Sequence, residues 1–163
     1  MSIFDKMINS LNNTAEKKEF CDKVNSLAFI YKEVYKILYP VNNFYWCFNL
    51  NLNYEEPFSR QDLLVTFTTF SSYISQIISI HHELNELYNS NHSISSGCVN
   101  EYNKANKLCT TMITDLSILN KNYKTMDRTY PSERNKYVIK NLELGLARLQ
   151  DYVQTKNVVG YNN

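Results

Sequence analysis

The sequence predicts an all-α fold, and three observations carry that expectation. Apolar residues recur at alternating steps of three and four. Gly and Pro are scarce, three of each in 163 residues. The strong turn signals lie far apart, whereas a sandwich or barrel needs turn chemistry about every ten residues. Apolar residues make up 44% of the chain and aromatics 13%, enough for a substantial core. The length suits a single domain spanning 1–163, burying about two-thirds of its unfolded surface.

The first apolar line runs Phe20, Val24, Leu27, Tyr31, Val34, Leu38. It extends backward through Leu11, Ile8 and Phe4, across a weak break at Asn12, Asn13 and Thr14. A short N-terminal helical extension is therefore expected, with Thr14 as the N-cap of the helix proper and Pro40 as its end. From Phe44 to Tyr54 the pattern changes. Phe44, Trp46, Phe48, Leu50, Leu52 and Tyr54 fall on every second position, and Asn49, Asn51 and Asn53 lie between the later ones. Period two predicts an extended segment with one apolar face, here an aromatic crossover over 40–58.

The second helical line is Leu63, Phe67, Phe70, Ile74, Ile77, His81, Leu84, Tyr88. Ser59-Arg60-Gln61-Asp62 opens it with the spacing of a capping box. After a turn at Ser93 to Gly97, the third line runs Tyr102, Ala105, Cys109, Met112, Leu116, Leu119, Tyr123, Met126. The fourth runs Ile139, Leu142, Leu146, Leu149, Val153, with Pro131 in its first turn and its close near Gly160. Four such segments would each be about 40 Å long. The three-four spacing and short later linkers predict an up-down-up-down bundle of four antiparallel helices.

Chemical motifs are few. The net charge is +1, so no global field steers the chain toward nucleic acid or membrane. Lys121, Lys124, Arg128, Arg134, Lys136 and Lys140 cluster around the third turn, but Asp115, Asp127 and Glu133 interleave them, which argues against a nucleic-acid partner. His81, His82 and Glu86 form the one metal-like or small-enzyme constellation. His82 and Glu86, four apart, share a helix face and supply at most two ligands where a metal needs three or four. His81 falls on the apolar line and reads as a core or boundary residue beside a solvated His82–Glu86 pair. Cys21, Cys47, Cys98 and Cys109 form no CxxC pair, and the N-terminus MSIFDKMINSLNN lacks the continuous apolar core of a signal peptide. Reduced thiols in an intracellular, cytoplasmic chain are expected. No phosphate loop or nucleophile motif is present, so neither a catalytic residue nor a cofactor is assigned. The wealth of Asn, Lys, Tyr and Ile is the usage of an AT-rich genome, as in many large DNA viruses, protists and low-GC bacteria.

The second helix is the informative oddity. From Leu63 to Ile80 it carries no charge, and its non-apolar positions are all Ser, Thr or Gln. An ordinary surface helix has a charged back. Eighteen uncharged residues approach the lower limit for crossing a membrane, yet eight hydroxyl or amide side chains weaken that reading. The expectation is instead that Thr68, Ser72, Ser75 and Ser79 lie under a cover, either the 44–54 segment acting as an internal strap or another chain. Phe44, Trp46, Phe48 and Tyr54 are residue types enriched at binding hot spots. Together these features predict a non-enzymatic interaction or assembly subunit, with a protein partner or a second copy as its ligand.

Overall fold

The computed structural model describes residues 2–50, 58–156 and 158. Five helices account for most of them: α1 (Ile3–Asn49), α2 (Arg60–Ser90), α3 (His92–Gly97), α4 (Val99–Thr129) and α5 (Glu133–Thr155). No strand occurs among the described residues. The all-α reading holds.

The first segment differs most from expectation. α1 is one continuous rod of 47 residues, about 70 Å long. Its cap is Ser2, whose Oγ accepts the Asp5 N–H at 3.1 Å. Thr14 lies inside the rod and donates its hydroxyl to the Ser10 carbonyl at 2.9 Å. Pro40 removes one backbone bond but does not end the helix. It sits on the exposed side, where water can satisfy the freed Lys36 carbonyl. Val34, Leu38, Val41 and Phe44 stay buried in phase on both sides of it. Burial of such side chains is worth about 1.5–3 kcal/mol each, enough to offset a proline cost of about 3 kcal/mol.

The aromatic crossover is overturned for the residues that are described. Phe44, Trp46 and Phe48 are helical, not extended. The run Phe44-Tyr45-Trp46-Cys47-Phe48 is apolar at every position, so it matches a period of two and of 3.6 equally. Leu52 and Tyr54 lie outside the described residues.

The start of α2 is as anticipated. Ser59 Oγ accepts the Asp62 N–H at 3.1 Å, and Asp62 accepts the Ser59 N–H at 2.9 Å. Ser59→Ala should lower stability by about 1 kcal/mol, measurable by urea denaturation; an unchanged midpoint would show the cap to be idle. The Ser93–Gly97 turn is instead the short helix α3, capped by Asn91, with Ile94 fully buried. α5 is capped by Ser132, whose Oγ accepts the Asn135 N–H at 3.0 Å. Pro131 therefore lies just outside the helix rather than in its first turn. α5 ends at Thr155, and Gly160 lies outside the described residues.

Side-chain pairs fix the helix directions. α1 and α2 run oppositely, since Lys23 meets Glu83 at 2.8 Å while Phe44 meets Phe58 near the start of α2. α4 and α5 run oppositely, with Lys124 on Glu143 at 2.6 Å and Asp127 on the Ser132 amide. α1 and α4 run the same way, through Tyr35–Asp115 and Tyr123–Val41. α2 and α5 also run the same way, through Phe67–Tyr137 and His81–Tyr152. Direction thus alternates among the four long helices, but their order around the core is α1, α2, α5, α4. The link from α2 to α4 crosses the core diagonally, and α3 closes that end against α1, α2 and α4. The backbones of α1 and α5 stay apart, bridged by Arg134 lying 4.0 Å over the Phe44 ring.

Candidate interaction surfaces

The outer face of α2 is open. Its core face buries Leu63, Phe67, Phe70, Ile74, Ile77 and Leu84. On the opposite side Leu64 and Val65 are half exposed, and Thr68, Ser72, Ser75, Gln76 and Ser79 are exposed. Only 28% of the most apolar 18-residue stretch of α2 is buried. The face is stiffened from within: Thr68 donates to the Leu64 carbonyl at 2.7 Å, and Gln76 donates to Ser72 Oγ at 3.2 Å. Along one edge Arg148 of α5 donates to the carbonyl and hydroxyl of Ser71, both at 3.2 Å, and to Ser75 Oγ. No element among the described residues covers the rest.

The aromatic residues do not join this face. Phe44 is buried against Phe58, and Phe48 packs edge-on against Tyr130 with ring centroids 5.2 Å apart. Trp46, exposed at 48%, lines a groove between α1 and α4. That groove lies on the opposite side of the core from the α2–α5 edge. Of the eight residues expected to form one interface, the seven that are described divide three ways: Thr68, Ser72, Ser75 and Ser79 on α2, Trp46 on the α1–α4 groove, and Phe44 and Phe48 largely in packing. Tyr54 lies outside the described residues.

The histidines also separate. His81 is fully buried, with Nε2 2.7 Å from Asn106 Oδ1 and Nδ1 2.6 Å from the Tyr152 hydroxyl. An amide oxygen only accepts, so Nε2 carries the proton and Nδ1 accepts from Tyr152. Burial pushes the imidazole below its ordinary pKa, and nearby His82 adds to this, while the Asn106 hydrogen bond opposes it. This is a neutral structural histidine. His82 and Glu86 are 3.9 Å apart on the surface, and no group of three metal-ligating side chains forms among the described residues. Burial drives the Cys109 thiol up to about 12 and raises Cys98, which disfavours the thiolate at both.

The basic cluster is partly consumed by internal pairs, Lys124 with Glu143 and Lys136 with Asp127. Because α2 and α5 run the same way, their first turns meet around a cleft of about 660 Å³. Arg60 joins Arg134, Lys136 and Lys140 there, beside Glu133. Arg60 is far from this cluster in sequence, and only the direction of the two helices reveals the association.

Compared with protein-family models, with curated proteins and with solved structures, the chain matches none.

Proposed function

We propose that this chain is a non-enzymatic assembly subunit that pairs with a second copy through the outer face of α2. The observation that carries the reading is the uncharged strip from Leu64 to Ser79, which stays open although its helix is apolar enough to cross a membrane. Water-facing helices spend their outer positions on charge; this one spends them on Ser, Thr and Gln. Small hydroxyl side chains permit close approach of another helix. Hydrogen bonds within the strip already engage the hydroxyls of Thr68, Ser72 and Ser75, which lessens the cost of desolvating them.

Thr68→Lys combined with Ser72→Glu should lower the mass measured by light scattering at micromolar concentration, with an unchanged helical circular-dichroism spectrum. A parent chain that is already monomeric, or a doubly charged variant of unchanged mass, would overturn the reading. Co-flotation of the parent with neutral liposomes, lost in the same variant, would assign the strip to lipid instead.

A further inference from the structure

α1 carries a second unsatisfied surface, at its N-terminal end. Every residue from Ser2 to Ala15 is exposed, and just beyond them Glu16 accepts from Asn91. This end of the rod, about 20 Å long, displays Ile3, Phe4, Met7, Ile8 and Leu11 at 39–78% exposure. From Leu11 to Phe20, the first core residue, is nine positions, or two and a half turns at 3.6 residues per turn. Because the helix is unbroken, the stripe at 4, 8 and 11 points away from the face that α1 gives to its own core. The break at Asn12–Thr14 is a change of face, not a gap between helices. No lengthening of α2 or α4 could cover this stripe, and a short helix gains little stability in water without packing.

The same chain holds a receptor of matching form. The groove between α1 and α4, of about 430 Å³, has Leu38, Leu116 and Leu119 in its floor and Tyr39, Trp46 and Ile118 on its rim. The rim residues are exposed at 66%, 48% and 54%. Among its described lining residues the one acidic side chain, Asp115, already accepts the Tyr35 hydroxyl, and apart from Asn42 and Asn122 the rest are apolar or aromatic. Tyr35 to Trp46 spans about 16 Å of helix, and Phe4 to Leu11 spans about 10 Å. Phe4, Ile8 and Leu11 have the i, i+4, i+7 spacing of helices that bind in grooves. Leu11 and Tyr35 lie about 36 Å apart along one rigid rod, so a chain cannot fill its own groove. The other concavities suit the stripe less well: the α2 strip lacks an apolar floor, and the α2–α5 cleft is ringed by cations.

We propose that the Ile3–Leu11 stripe of one copy docks in the α1–α4 groove of a second copy. The contact is heterologous, knob to groove, and propagates head to tail unless geometry closes it into a dimer or ring. It uses residues distinct from the α2 strip and goes beyond the pairing proposed for that strip.

The test uses full-length chain carrying Thr68→Lys and Ser72→Glu, so that α2 pairing cannot contribute. This parent should associate with rising concentration, and Trp46, the only tryptophan in the chain, should shift its emission to the blue. Leu11→Asp spoils the knob and Ile118→Asp spoils the groove, both at exposed positions. Each variant alone should associate at least about a hundredfold more weakly, since a charge would enter an apolar contact. Mixed in equal amounts they should form a heterodimer, one intact knob in one intact groove, with half of the tryptophan signal shifted. A parent that stays monomeric with constant emission overturns the proposal. So does self-association of Ile118→Asp alone, which would mean stripe-to-stripe pairing, a mixture that stays monomeric, or a stripe that drives flotation with neutral vesicles. None of these outcomes depends on whether the α2 strip pairs.

Discussion

Gly145→Val should destabilise the protein by about 3 kcal/mol, the upper part of the range for overpacking a filled core. Gly145 is buried in α5 where that helix crosses α2. A Cβ built there would lie 2.4 and 2.6 Å from ring carbons of Phe70 and 3.6 Å from Ile74. Neither neighbour can move aside freely. Phe70 is 1% exposed and stacked edge-on against Phe67, and Ile74 is fully buried. In an open helix, replacing glycine by alanine would gain about 1 kcal/mol. Here that gain is opposed by displacement of a buried ring, so Gly145→Ala should also lose stability, by less than the valine variant. Denaturant titrations of both would check the ordering. A stabilised Gly145→Ala would mean that α2 and α5 are not in the close contact described.

That contact marks where sequence reasoning ran out. Steps of three and four placed most of the core faces of α2, α4 and α5, because those helices bury one face for their whole length; Tyr88, Tyr102 and Ile139 are only half-buried, and Val138 and Tyr152 of α5 were missed. In α1 steps of three and four run on either side of a nine-residue interval from Leu11 to Phe20, which is half a turn out of phase. Joining the two runs across that interval makes the N-terminal stripe look like more core. Pro40 and the aromatic run after it misled for a related reason. Local signals for a stop and for a strand were outweighed by Val41 and Phe44 reaching the core in helical register. The parallel placement of α2 beside α5 was invisible, since short linkers fix chain-neighbour directions but not the order around the core. Gly145 shows the consequence. In the sequence it is an isolated glycine; in the fold it is where two helices reach van der Waals contact.

The candidate surfaces were legible to a similar degree. The absence of charge between Leu63 and Ile80 can be read directly, and the structure leaves the outer part of that stretch open. Its expected association with Trp46 could not be tested by spacing, because the two lie on different pairs of helices. His81 was placed correctly in the core by the apolar line on which it falls, yet its partners Asn106 and Tyr152 come from α4 and α5 and have no sequence signature.

His81→Ala should cost about 3 kcal/mol at neutral pH, combining a cavity with the loss of two buried hydrogen bonds. The alanine leaves Asn106 and Tyr152, exposed at 2% and 8%, without the ring that joins them. The wild-type histidine should also leave a signature in pH. Its folded pKa is lowered, chiefly by burial, while in the unfolded chain it titrates near about 6.5. Above that value both states are neutral, and the stabilising contribution is fully present. As the pH falls through it the unfolded chain binds the proton first, so stability declines by up to about 1.4 kcal/mol per pH unit until the folded pKa is reached. Urea titrations at pH 7.5 and 5.5 should therefore show wild type losing about 1 kcal/mol on acidification. His81→Gln should lack that loss while starting from lower stability. If wild type and His81→Gln declined equally, the proton would be entering elsewhere. The buried imidazole would then not be the neutral link between α2, α4 and α5 that its hydrogen bonds describe.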